Sequence, residues 1–131
     1  SSTLAERGMD ILTRYLEAYE SVIRGPVDAE VADAILTRHG VSNGSYRSWL
    51  LASGGGPIGP DWYDGVEELQ QSQEKFKEEK WSVAGFVIGW DGAGNPIVLS
   101  NGGKILTEDH NFGGVHELAE SFDELLAANI R

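Results

Sequence analysis

The stretch Val83-Ala84-Gly85-Phe86-Val87-Ile88-Gly89-Trp90 carries no polar side chain, and the turn-forming run Asp91-Gly92-Ala93-Gly94-Asn95 follows it at once. An apolar run this short, closed by a turn, predicts a β-strand covered on both faces rather than one alternating between core and water. The rest of the chain must then supply two covering layers. Asp91 to Asn95 reads as a glycine-containing hairpin loop, where glycine reaches the positive φ that such loops need. Pro96 has no amide to donate, so it belongs at the start or edge of the returning strand, Ile97-Val98-Leu99. Asn101-Gly102-Gly103 turns the chain again, and Lys104 to Thr107 forms a third strand. After Asn111-Phe112-Gly113-Gly114 a closing helix is predicted, with Leu118, Phe122, Leu125, Leu126 and Ile130 as its apolar face.

The region before this meander is helical in pattern. Thr3 with Glu6 three residues later forms a capping box, and Leu12, Tyr15, Leu16, Tyr19, Val22 and Ile23 recur at helical spacing until Gly25-Pro26. Asp28 can cap a second helix that turns Val31, Ala34 and Ile35 inward and stops at Gly40. Asn43-Gly44-Ser45 is a turn signal, and Tyr46 to Ala52 can form a short helix. Gly54-Gly55-Gly56-Pro57-Ile58-Gly59-Pro60 cannot continue it. Asp61 or Asp64 can cap a further, mostly polar helix to about Lys80, with Val66, Leu69 and Phe76 as its apolar stripe. Helices, then an antiparallel meander, then a closing helix indicate an α+β fold, with one or two further strands possible in residues 41–60.

At 131 residues the chain fits a single domain spanning 1–131 and is long enough to bury a core without staples. It contains no Cys, which excludes disulfides and thiolate metal sites and fits a reducing compartment. No apolar run reaches membrane-span length and no signal peptide is visible, and because the chain starts Ser1-Ser2 rather than Met a removed leader stays open. The net charge is −11, graded along the chain: residues 1–60 carry 7 acids and 5 bases, 61–104 carry 8 and 4, and 105–131 carry 6 and 1. That balance repels phosphate backbones and anionic lipid, so neither nucleic acid nor membrane is an expected partner. It attracts basic proteins instead.

The candidate chemistry is thin. The triple glycine lacks the lysine of a phosphate-binding loop, no strand precedes it, and Pro57 and Pro60 remove amide donors. A rigid structural turn accounts for it. Asp91 to Asn95 is too short for a calcium loop and lacks the terminal glutamate. His110 and His116 lie near Glu108, Asp109 and Glu117, but their spacing across two glycines matches no metal-binding pattern. No serine, threonine or lysine sits in a recognisable nucleophile turn. Neither a catalytic site nor a metal is expected.

Two features point to a partner. Glu117, Glu120 and Glu124, read as helix positions i, i+3 and i+7, form an acidic stripe prolonged by Glu108 and Asp109. No Lys or Arg between Ile105 and Ile130 offsets it. Trp62-Tyr63, between Pro60 and Asp64, reads as an exposed aromatic pair of the kind that anchors interfaces.

Three segments in order resemble one family: Gly54 to Trp62 ("Gly-Gly-Gly-Pro-x-Gly"), the strand and glycine loop Trp90 to Gly94, and Ser121-Phe122 with Leu125-Leu126 ("Ser-Phe-x-x-Leu-Leu"). Together with the Lys104–His110 strand and acidic-His corner, they resemble the SUKH superfamily (Syd, the herpesviral US proteins and Knr homology) in its Smi/Knr-like branch. The resemblance implies an α+β SUKH fold with no cofactor and no catalysis. It also implies a cytosolic bacterial immunity protein that binds and neutralises a cognate toxin, often a nuclease or deaminase. The alternatives are a regulatory or scaffold module of the Smi/Knr-like kind, or a small-ligand or carbohydrate binder using Trp62 and Tyr63.

Overall fold

A computed structural model describes the backbone of residues 4–130 and the side chains of residues 11–130. The Thr3–Glu6 capping box lies outside the described residues. In chain order the elements are α1 (Leu4–Ala18), α2 (Ala29–Arg38), α3 (Gly44–Ser53), β1 (Gly56–Ile58), β2 (Asp61–Tyr63), α4 (Val66–Glu79), β3 (Phe86–Trp90), β4 (Pro96–Leu99), β5 (Ile105–Glu108), β6 (Val115–Ala119) and α5 (Phe122–Ala128). All six strands run antiparallel to their neighbours, in the order β1-β2-β3-β4-β5-β6. This is the α+β architecture that the pattern predicts; beyond the three meander strands, β1 falls within residues 41–60, where a further strand was allowed, β2 lies just after that window, and β6 is new.

β3 lies inside the sheet and is buried on both faces, as the apolar run requires, but it begins only at Phe86: Val83 to Gly85 precede the strand, with Ala84 and Gly85 exposed. On one face Phe86 and Ile88 join the main core with Ile97, Leu99 and Ile105. Tyr15, Ile35, Leu36, Trp49, Leu50, Leu69, Phe122 and Leu126 pack down from the helices. On the other face Val87 and Val98, with Val83, form a smaller cluster closed over by Phe76, Trp81, Trp90 and Leu106. Besides Val98 of β4, the second pairing partner of Val87 is a side chain. Where β2 ends, the Gln73 amide of α4 accepts from Val87 N at 3.0 Å and donates to Val87 O at 2.7 Å, prolonging the ladder by one residue.

Local signals set most boundaries. Asp28 caps α2 by accepting from Glu30 N, and Asn43 caps α3 by accepting from Tyr46 N. Ser121 caps α5 by accepting from Glu124 N. The glycine run is a turn only at Gly54 and Gly55; Gly56 already begins β1. Gly54 closes α3 in the left-handed region, and a Cβ on Gly55 would stand 2.5 Å from Gly65 N, so two backbone segments pass where no side chain fits. α1, β1 and α5 are tied together by tyrosine hydroxyls. Tyr15 donates to Pro57 O at 2.7 Å, and Tyr19 donates to Asn129 O while accepting from Gly59 N, both at 2.9 Å.

Several expectations are corrected. α4 is capped by neither Asp61, which lies on β2, nor Asp64, but starts at Gly65 without a side-chain cap. Asp64 is buried instead and accepts from Ser72 Oγ, which in turn accepts from Trp90 Nε1 at 3.0 Å. In α2 the buried residues are Ala32, Ile35 and Leu36, while Val31 and Ala34 face water. α1 ends at Ala18, so Val22 falls in the following turn and is exposed. The largest change is at the C-terminus: residues 115–119 form strand β6, and the closing helix begins only at Phe122. Leu118, predicted on the apolar helix face, is 45% exposed. Among the described residues no helix is long and apolar enough to cross a membrane.

Candidate functional site

The C-terminal hairpin places most of the predicted partner-binding residues, though not as a helical stripe. Glu117 lies on β6, Glu120 in the connection to α5, and Glu124 in the first turn of α5. The helical i, i+3, i+7 alignment therefore does not exist. Its cause is β pairing: β6 completes a ladder with β5 in which Glu117 lies opposite Leu106 and His116 opposite Thr107. Tertiary pairing has overridden a pattern that reads equally well as helix.

Four of these five carboxylates, those of Glu108, Asp109, Glu117 and Glu124, also have a local partner. Glu108, on β5, accepts from Val83 N at 2.7 Å and so holds the segment leading into β3. Asp109 Oδ1 accepts from Asn111 N at 2.8 Å and Phe112 N at 3.1 Å, closing the β5–β6 turn. These two backbone donors hold its carboxyl below the usual range. Glu117 meets Lys104 Nζ at 3.0 Å, and the hydrogen bond, with the charge of Glu117 behind it, raises the Lys104 pKa. The base just before the acid-only stretch thus offsets part of the stripe that was expected to be uncompensated. Glu124 accepts from Glu120 N at 3.2 Å, completing the cap of α5. Glu117, Glu120 and Glu124 remain exposed.

Trp62 and Tyr63 do not act as a pair. They alternate across β2, so Trp62 is 48% exposed while Tyr63 is 1% exposed and packs edge-on to Trp49. Burial, with the charge of Asp61, pushes the Tyr63 hydroxyl well up. Only Trp62 can contact a partner.

Of the two histidines, His110 serves the fold, while His116 is exposed on β6. His110 donates its backbone amide to Asn95 Oδ1 at 3.0 Å and sets Nδ1 2.5 Å from the same atom. Asn95, only 6% exposed, also donates to Asp91 Oδ2 at 3.1 Å, so it links the β3–β4 and β5–β6 turns. Among the described residues no group of three or more His, Asp or Glu side chains is arranged to hold a metal ion.

The residues that sequence reasoning missed are apolar. Phe112, at the tip of the β5–β6 turn, is 91% exposed, and Val115 is 46% exposed. With Leu118 they place three of the six exposed large hydrophobic side chains among the described residues on β6 and its turn, the others being Val22, Val31 and Trp62. A signal was present at Phe112, which stands between Asn111 and Gly113 in a run that can only be a surface turn.

A separate cleft of about 440 Å³ lies at the other end of the strands, lined by His39, Asn43, Gln73, Phe86, Leu99 and Asn101, with glycines between them. None of the predicted site residues lines it. The buried Asp64–Ser72–Trp90 chain is not part of it either, and with Asp64 at 9% and Ser72 at 7% exposure that chain has no open side for a substrate. Burial raises the Asp64 pKa, with the Ser72 hydroxyl working against it.

Neither the models of known protein families nor the curated proteins give a match to this chain.

Proposed function

We propose that this protein is a non-catalytic binding domain of the SUKH, Smi/Knr-like type, acting as an immunity protein that occupies the basic substrate surface of a nuclease- or deaminase-like toxin. The observation that carries this reading is the β5–β6–α5 end of the domain. There an acid-rich stretch, with 6 acids against 1 base in residues 105–131, coincides with the exposed Phe112, Val115 and Leu118. Charge steers a basic protein to this end and apolar side chains give it something to grip. The order of the three family-like segments supports the same assignment. The SUKH identity, the immunity role and a cytoplasmic location stand together as one proposal.

The test is co-expression with the basic protein it captures. That partner should be toxic when expressed alone and tolerated with the wild-type domain. The triple variant Glu117→Lys, Glu120→Lys, Glu124→Lys should protect poorly and associate at least tenfold more slowly at low salt. Equal protection by the triple variant would place the contact elsewhere. Capture of a non-toxic housekeeping protein would favour the regulatory or scaffold reading instead.

A further inference from the structure

We infer that the outer edge of β6 is a strand-addition site for a short, extended, lysine- or arginine-bearing segment of the partner protein, with Phe112 as the anchor at one end. The inference rests on the acidic-surface reading above and gives it a geometry. β6 pairs with β5 on one side and, among the described residues, with no strand on the other. Residues Val115 to Leu118 are all exposed. A sheet edge of this kind presents a row of peptide N–H and C=O groups, a template on which an extended peptide forms main-chain bonds.

Native sheets usually guard such an edge, and this one is guarded selectively. The ladder shifts register between Ile105 and Leu106, which leaves Leu118 as an extra residue in β6 and the regular edge short. An added segment is therefore short and needs side-chain anchors, which Phe112, Val115 and Leu118 provide. Phe112 is not left outside by a loose loop. Asp109 Oδ1 accepts the Asn111 and Phe112 amides while Gly113 N donates to Asp109 O at 2.8 Å, so the turn is built and the ring is presented by it.

Charge then selects the occupant. Pairing with a second copy through β6 would bring together two acid-rich ends, each carrying Asp109, Glu117 and Glu120, and the repulsion of like charges opposes it. A basic segment meets the same carboxylates favourably. The edge is thus closed to self-association and open to a cationic strand.

The probe is a short, blocked peptide of alternating lysine and valine, titrated into the 15N-labelled protein at low salt. Three controls accompany it: the same peptide with its central valine replaced by proline, a glutamate–valine version, and the Phe112→Ala variant. Strand addition predicts amide shifts centred on Phe112 and Val115 to Leu118, with slowed hydrogen exchange along β6. It also predicts roughly tenfold weaker binding for the proline peptide and for Phe112→Ala, and no binding of the glutamate peptide. Equal binding by the proline peptide, with shifts spread over the carboxylates, would overturn strand addition while leaving a charge-driven contact standing. Binding of neither cationic peptide would remove both. Concentration-dependent pairing of the protein with itself through β6 would overturn the charge selection.

Discussion

In the β3–β4 hairpin, Asp91 Oδ1 receives the Ala93 and Asn95 amides, each at 2.9 Å; in the β5–β6 hairpin, Asp109 Oδ1 receives those of Asn111 and Phe112. The same turn device opens both. Beyond it the two diverge: β3 and β4 are buried almost throughout, whereas β5 is half-buried and β6 exposed. Turn chemistry closes a hairpin, but what lies above and below it decides whether its side chains become core or surface. Helices and the Phe76–Trp81–Trp90 cluster cover the first hairpin. In the second, Phe112 stands almost fully in solvent and Val115 and Leu118 are nearly half exposed.

The largest effect should separate the two hairpins by stability. Ile97→Ala, on fully buried β4, is expected to cost about 2–5 kcal/mol. Leu118→Ala on β6 should stay within about 0.5 kcal/mol. Urea unfolding of the two variants compares them directly, and a large loss from Leu118→Ala would mean that β6 is core after all.

Next in size is the link between them. Asn95→Ala removes the acceptor of the His110 amide and the donor to Asp91, a loss of about 1–3 kcal/mol for a buried polar hub. It should also speed amide exchange across residues 109–114, detaching the second turn from the first. Unchanged exchange there would show that Asp109 alone holds the turn.

A smaller, pH-dependent contrast follows from two aspartates. The carboxyl of Asp109 is held low by backbone donors. Its contribution to stability is therefore present above the unfolded-chain value of about 3.9 and lost as pH falls through the lower folded value. Asp64 is raised by burial, so its contribution is present below about 3.9 and lost as pH rises through the higher folded value. Carbon-detected titration of the two carboxyls should place them on opposite sides of the ordinary range. Asp64→Asn should abolish the second slope and leave the first.

The smallest expected effect on the fold is Phe112→Ser, which should leave the melting temperature unchanged while weakening partner binding about tenfold. A melting temperature lowered with it would make Phe112 structural.

Periodicity and punctuation carried much of this fold. The apolar strand ending at Trp90, Pro96 at a strand start, the cap at Asp28 and both glycine turns were legible, because each is a local constraint; Asn43 read as a turn and proves to be the cap of α3. The β6 strand was not. Residues 115–122 place Leu118 and Phe122 at helical spacing, and only pairing with β5 decides otherwise. Trp62-Tyr63 was misread for a related reason: two adjacent aromatics in a strand face opposite ways, which becomes visible only once β2 is known to be a strand. At the candidate site, the acids were legible from charge counting alone. Their local bonds to Val83, Phe112 and Lys104 depend on chain crossings that no local pattern encodes.

The central claim is that the exposed, acidic end of the domain binds and neutralises a basic protein. The most direct measurement is capture of partners from the protein's own organism, followed by expression of the captured protein with and without this domain. The account predicts a basic partner, released at high salt, whose toxicity is relieved by the wild type and not by the Glu117, Glu120, Glu124 reversal. A partner that is harmless, or one neutralised equally well by the reversed surface, would contradict it.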